Sequence, residues 1–233
     1  MKAIILVSGG LDSTTVMGIV KSLGYDLYCL TFNYSQRNKI ELELIKQNIV
    51  NFNPVDHRII NVDLSFLNTS SLVNKDLDVQ KYKNKSEITK DIPNTYVPAR
   101  NTIFLSYALS YAENIGAKDI FIGIHKSDSP NYPDCTKEFA LEFENLANIG
   151  TSFVNQADDS DKKIKIHAPL IEMTKADIVR RGIELGLNYE KTISCYDPNE
   201  IGESCGKCIS CLIRLDAFRN NNIDDLIPYV NLN

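Results

Sequence analysis

The stretch AIILVSGGLDSTTVMGIVKSL, residues 3–23, decides the fold. An apolar run from Ala3 to Val7 stops at Ser8-Gly9-Gly10, and an amphipathic stretch restarts at Asp12. That is the pattern of a buried strand, a tight turn and a helix. Glycines 9 and 10 have no Cβ, so the chain can bend sharply and a phosphate can lie against the backbone. The first N–H groups of a helix lack intrahelical partners and point at such an anion, with the Ser8 and Ser13 hydroxyls beside them. The lysine of the common GxxxxGK[ST] phosphate loop is missing. A carboxylate at Asp12 suits Mg²⁺, which takes its oxygen ligands from one or two carboxylates and from phosphates.

Outward from this junction the same alternation repeats. DLYCLTF (26–32) reads as a second strand with Cys29 in the core. NYSQR (33–37) is a polar break, KIELELIKQNIVNF (39–52) has mostly helical spacing of Ile40, Leu42, Ile45 and Ile49, and HRIINVDL (57–64) is a third strand. Strands joined through helices give parallel crossovers and hence an α/β doubly wound sheet, whose ligands sit at the carboxyl ends of the strands. Residues 68–94 are polar, lysine-rich and poorly periodic, which fits either a lid over the site or a disordered segment. In TYVPARNTIFLSYALSYAENIG (95–116), Pro98 ends an extended piece, Asn101 or Thr102 is placed to cap, and a long apolar helix follows. Arg100 and Asn101 stand at its mouth; an arginine beside a helix N-terminus is electrostatically out of place and points to an anion.

DIFIGIH (119–125) is a fourth strand, followed by the polar loop KSDSPNYPDC (126–135). Asp128 and Asp134 are candidates for Mg²⁺ or for the donor edge of a guanine-like base, with Tyr132 as a stacking face; local Asx turns are the structural alternative. His125 reads as a packed strand-end residue. Residues 136–150 form a helix with Phe139, Phe143 and Leu146 in the core, KIKIHAPL (163–170) a fifth strand, and TKADIVRRGIELG (174–186) a helix capped by Thr174 with Asp177 three residues on. Lys175 in the first turn opposes the helix dipole, as a phosphate-gripping lysine would and as a surface lysine also can.

Cys195, Cys205, Cys208 and Cys211 are spaced C-x9-C-x2-C-x2-C. Two-residue gaps let thiolates converge on one tetrahedral ion, so four soft ligands with no open position read as a structural Zn²⁺ site. An iron–sulfur cluster or two disulfides are the competing readings. The organisation expected is one α/β domain over 1–190 and a four-cysteine segment with its helix over 191–233.

A chain of 233 residues with 43% apolar and 24% charged residues is long enough for one substantial core. Its net charge of −5 argues against a nucleic-acid-coating surface. No run is long and apolar enough to cross a bilayer, and the opening MKAIILVSGG turns polar too early for a signal peptide, so a cytoplasmic protein is expected.

SGGLDS resembles the PP-loop of ATP pyrophosphatases, in which the loop grips the departing pyrophosphate while a nucleophile attacks the α-phosphorus. Over nearly the whole chain, SGGLDSTT (8–15), TFNYSQR (31–37), IPNTYVPARN (92–101), NYPDCTKEF (131–139), APL (168–170) with TKAD (174–177), and TISCY with CGKCISCLIR (192–214) resemble the 7-cyano-7-deazaguanine synthase family in the family's order. Two positions depart: the family's Y-G-Q-R-H reads Tyr34-Ser35-Gln36-Arg37-Asn38, and its P-D-C-R reads Pro133-Asp134-Cys135-Thr136.

The resemblance implies an adenine-nucleotide alpha-hydrolase-like fold and a carbon–nitrogen ligase. The carboxylate of 7-carboxy-7-deazaguanine is adenylated by ATP with Mg²⁺, ammonia displaces AMP to give an amide, and a second adenylation yields the nitrile. Val7, Ser8, Gly9, Gly10, Leu11, Asp12, Ser13, Thr14 and Arg37 would hold ATP. Asp12, Arg100 and Lys175 would carry the chemistry; Arg100, Asn101, Asp128, Tyr132 and Asp134 would face the substrate; the four cysteines would hold zinc. No membrane and no direct nucleic-acid partner is implied, and a homodimer is compatible with the reading. The alternative is an antiviral relative that joins the adenylated acid to a protein amine. A nucleotide sensor without turnover is the reading from another class.

Overall fold

The computed structural model describes residues 1–89, 91–128, 131–153 and 163–230; parts of the expected loops 68–94 and 126–135 and of the 191–233 segment lie outside them. Strand β1 (Lys2–Leu6) runs parallel between β2 (Asp26–Asn33) and β4 (Asp119–Phe121), with Ile4 opposite Tyr28 on one side and Ile120 on the other. β3 (Asp56–Asn61) lies outside β2, and β5 (Lys165–His167) outside β4, so the order is β3-β2-β1-β4-β5. The chain winds one way from β1 to β3 and the other way from β1 to β5. The reversal falls between β1 and β4, and their carboxyl ends form the crevice in which such sheets bind ligands.

Side chains alternate across the sheet as its pleat demands. Ile4, Leu6, Leu30, Phe32 and Ile120 pack against helices α3 (Arg100–Ile115) and α4 (Lys137–Ile149). Ala3, Ile5, Leu27, Cys29 and Phe121 face the other layer, made by α1 (Leu11–Ser22), α2 (Ile40–Ile49), α5 (Lys175–Glu184) and α6 (Ile209–Arg219). The doubly wound α/β expectation is therefore met. Each fully buried Ile or Leu in these layers contributes about 2 kcal/mol.

Several local expectations need correction. β4 and β5 are three residues each rather than 119–125 and 163–170. After Ile122, whose N–H still reaches His167 O, Gly123 passes against the backbone of Asp12 and Ser13; the first turn of α1 takes the place of a neighbouring strand. Helix α3 begins at Arg100, behind Ala99 at φ 54°, and neither Asn101 nor Thr102 caps it. The Asp134 carboxylate instead accepts the Asn101 N–H at 3.0 Å. Leu146 is 53% exposed rather than core, because α4 turns that face outward. The capping box of α5, Thr174 with Asp177, is present as read.

Residues 68–89 form neither a free lid nor a loose segment. Ser70, Ser71, Leu72, Val73, Val79 and Tyr82 are buried. Arg37 donates to the carbonyls of Ser71 (3.1 Å) and Lys75 (3.2 Å), and Lys81 and Lys85 pair with Asp197 and Asp216. The segment is a packed strap that joins the C-terminal residues to the sheet. α6 packs on α5, and Ala217 and Phe218 enter the core beside α1.

Candidate active site

The turn after β1 is fixed by its own polar groups. Gly9 has φ +80°, and a Cβ there would lie 2.8 Å from the Glu41 carbonyl oxygen, so both conformation and space require glycine. Ser8 N–H donates to Ser13 Oγ (3.2 Å), Ser13 Oγ donates to Gly10 O (3.2 Å), and Ile193 N–H donates to Gly9 O (3.1 Å). Gly10 is the N-cap of α1 with no side-chain cap, which leaves the helix N-terminus to a ligand. Val7, Ser8, Gly10, Asp12 and Ser13 line a cleft of about 230 Å³ at the switch point of the sheet. Leu11 is in the core, and the Thr14 hydroxyl accepts from Asn48, so these two side chains do not line the cleft.

At this end of the cleft Lys175 Nζ donates to both oxygens of Asp12, at 2.7 and 2.6 Å. Lys175 is buried, and its ammonium reaches across from the first turn of α5 to the first turn of α1. Burial alone would raise the Asp12 pKa, but the Lys175 and His125 charges hold it well below the usual carboxylate range. Asp12 is thus kept ionised, as a metal-binding carboxylate must be. His125 is 1% exposed, with Nε2 3.1 Å from Asp128 and 3.3 Å from Lys175. A lone histidine at a strand end gave no signal of this contact; only the position of Asp128 one turn on, at i+3, hinted at it.

Another part of the cleft wall is aromatic. Phe32 and Phe104 stack at 4.1 Å, and both line the cleft with Tyr34 and Leu72. Arg100 also lines it; among the described residues no carboxylate lies within 4 Å of its guanidinium, which faces the Tyr34 hydroxyl and, farther off, Asp134. Glu41, which sequence reading passed over as one charge on an amphipathic helix, lies here too. Gln36 Nε2 donates to Glu41 Oε1 at 2.7 Å. Burial pushes the Glu41 carboxyl up to about 7, against the opposing pull of Gln36 and Arg100.

The folded chain therefore holds a proton that the unfolded chain releases between about pH 4.5 and 7, and stability falls as pH rises through that window. Glu41→Gln is expected to remove a slope on the order of 1–3 kcal/mol across it. Urea unfolding from pH 4.5 to 7.5 measures this; an equal slope in both proteins contradicts it.

The remaining expected substrate groups separate. Asp128 lines the cleft, and so does Asn101, although its amide donates to Asp134 O and Cys135 Sγ. Tyr132 lies outside the main cleft with its hydroxyl on Thr95 (3.0 Å), and Asp134 is buried as the cap of α3. Both hold the fold of the 131–135 turn, and Tyr132 also lines a second, smaller cavity with His125, Asp128 and Lys175. Arg37 borders the cleft with its guanidinium committed to the strap carbonyls, so it offers no free charge to phosphate. Asn38 Oδ1 accepts the Ile40 N–H at the start of α2 and its Nδ2 donates to Cys195 O (3.0 Å), while Thr136 caps α4.

The four cysteine Sγ atoms lie within 4.8 Å of one another, and Cys195, Cys208 and Cys211 are buried. A tetrahedral ion with bonds of about 2.3 Å puts its sulfurs about 3.8 Å apart, so the cluster fits one metal ion. Cys195 Sγ accepts the N–H groups of Asp197 (3.3 Å) and Cys205 (3.2 Å), and Cys205 Sγ accepts that of Cys208 (3.3 Å). Such donors favour thiolates over thiols. Cys195 borders the cleft, so the cluster forms part of its wall.

A doubly wound parallel sheet with an uncapped, two-glycine strand–helix turn at its switch point defines an α/β protein that binds its ligand at that turn. The sequence profile described as "Queuosine biosynthesis protein QueC" matches residues 2–222. The chain belongs to this family. It is 54% identical over 229 residues to a protein named 7-cyano-7-deazaguanine synthase from Rickettsia rickettsii (strain Sheila Smith), covering 98% of this chain and 99% of that one. The protein of the same name from Rickettsia felis is 52% identical over the same length. Among solved structures, an NMN synthetase from Francisella tularensis aligns over 96% of this chain and 78% of its own, with 12% identity and a TM-score of 0.48. No helix among the described residues is long and apolar enough to cross a membrane.

Proposed function

We propose that the chain uses ATP to turn 7-carboxy-7-deazaguanine into 7-cyano-7-deazaguanine, the reaction for which its relatives are named. The observation that carries the reading is the charge layout of one cleft: the uncapped N-terminus of α1 with Asp12 and Lys175, and Arg100 without a carboxylate partner among the described residues, all on its wall. A carboxylate is a poor acyl donor at neutral pH, and adenylation gives it a leaving group. The substrate carboxylate oxygen bonds to the α-phosphorus and pyrophosphate leaves. Ammonia then adds at the carbonyl carbon, AMP leaves with the C–O electron pair, and one proton is released. The amide oxygen is adenylated in turn, and loss of AMP with the amide protons gives the nitrile.

In this scheme the α1 N-terminus and Ser8, Gly9, Gly10 and Ser13 bind the pyrophosphate, Lys175 meets the charge that grows on it, and Arg100 orients the acid. Asp12 and Asp128 would hold Mg²⁺, which when bound neutralises phosphate charge. The four cysteines would hold Zn²⁺ as a structural ion clamping residues 191–230 to the sheet. The chain is read as cytoplasmic and as needing no nucleic acid. No observation favours a protein amine as the acceptor.

Mass spectrometry of the product from the acid, ATP and ammonium tests the function: the nitrile with two AMP per product is expected. An amide that accumulates, or no AMP release, contradicts it. Cys208→Ser is expected to lose the bound metal and to lower the melting temperature by more than about 10 °C, because structural metal binding is folding energy. Metal analysis of the purified protein with thermal unfolding checks this; an unchanged melting temperature in a metal-free variant contradicts it.

A further inference from the structure

One charged group of the cleft has no part in the chemistry above. Glu41 lines the aromatic end, and among the described residues the Gln36 amide is the one hydrogen-bond donor to its carboxylate. Gln36 is itself fully engaged: Oε1 accepts the Tyr34 N–H at 2.8 Å, and Nε2 is shared between Phe32 O and Glu41. The amide therefore fixes the carboxylate and cannot address a ligand. A ligand that brings N–H donors favours the ionised carboxylate, which accepts about four hydrogen bonds, and Gln36 supplies one of them. The carboxylate is half-buried and lines the cleft, so a ligand there can take the place of water on its free positions. Phe32, Phe104 and Tyr34 supply the flat apolar wall that a planar heterocycle needs.

We propose that Glu41 reads the substrate base, its two carboxylate oxygens accepting the ring N–H and the exocyclic amine of a guanine-type edge. Two adjacent donors on a planar ring match a carboxylate bidentately, as a guanidinium does. An adenine edge sets one donor next to an acceptor and cannot. The carboxylate thus separates the base to be modified from the adenine of ATP within one cleft. Arg100, on the same wall and without a carboxylate within 4 Å among the described residues, meets the acid group carried on the ring. Asp134, the carboxylate that sequence spacing offers for this task, is spent on the α3 N-terminus, and Glu41 takes its place. The inference rests on the reading that a deazaguanine acid enters this cleft.

The test compares 7-carboxy-7-deazaguanine with the analogue lacking the 2-amino group, in wild type and Glu41→Gln, by calorimetric binding and by KM. Wild type is expected to bind the 2-amino compound at least tenfold tighter. Glu41→Gln, which offers one acceptor and one donor, is expected to hold the two within twofold of each other. Equal binding of the two compounds by wild type overturns the proposal even if the variant fails to fold. Discrimination kept intact in Glu41→Gln overturns it as well. Failure of the adenylation reading looks different: neither compound then drives pyrophosphate release from wild type.

Discussion

Lys175→Met lowers the rate of acid-dependent pyrophosphate release by about 10²–10³-fold, the usual loss when one preorganised group is taken from developing charge. Its Nζ is held on the Asp12 carboxylate at the helix N-terminus that lines the cleft, and it meets a phosphate by turning one N–H from Asp12 to the incoming oxygen. Asp12→Ala is expected to lose activity to a similar degree but to cost more stability. It strands a buried ammonium, whereas Lys175→Met leaves a carboxylate whose side chain is 25% exposed and still faces His125. Removing one partner of a buried pair costs up to about 3–5 kcal/mol, and the partial exposure here brings the expected loss for Asp12→Ala to about 2 kcal/mol. The Asp12→Ala/Lys175→Met double variant is expected to be at least as stable as Asp12→Ala. Quench-flow pyrophosphate measurement and urea unfolding test the set; a double variant weaker than both singles contradicts the pairing argument.

Arg214→Ala is expected to destabilise the protein by about 3–5 kcal/mol. The Arg214 side chain is fully buried and that of Asp225 is 2% exposed. Nε and Nη2 hold the two carboxylate oxygens at 2.7 and 3.0 Å, Nη1 donates to Thr192 Oγ1 at 2.8 Å, and Tyr229 adds a hydroxyl donor to Asp225. Truncation leaves Asp225 ionised with most of its donors gone. Arg214→Lys is expected to recover little, since a single ammonium cannot reproduce the planar fork. Because Thr192 and Ser194 lean on the same guanidinium and Ile193 bonds the glycine turn, KM for ATP is expected to rise as well. Denaturant midpoints and ATP titration decide it; a loss below 1 kcal/mol in Arg214→Ala sinks the argument.

The parts of this protein written in local chemistry were legible. The β1–α1 junction, the four-cysteine spacing, the α5 capping box and the alternation of strands and helices all rest on neighbours within a few residues. What stayed hidden depends on where distant segments meet. Arg214 carries no signal of its own in the sequence beyond ending the CGKCISCLIR stretch, and only the fold brings Asp225 and Thr192 to it. Asp134 looked like a substrate carboxylate because a polar loop at a strand end favours ligands, yet it satisfies a helix start that Ala99 leaves uncapped. His125 and Glu41 show the reverse: ordinary residues by spacing, brought to the cleft by packing. The strap was unreadable because its order comes from Arg37 binding backbone carbonyls, which no side-chain pattern records.

The glycine turn at residues 8–10 is braced by the Ile193 N–H, whose neighbour Thr192 is held in turn by Arg214. These contacts join segments far apart along the chain, and contacts of such high separation form only after the loop between them has been closed at its entropic cost. The corner is therefore expected to be among the last parts of the molecule to become rigid.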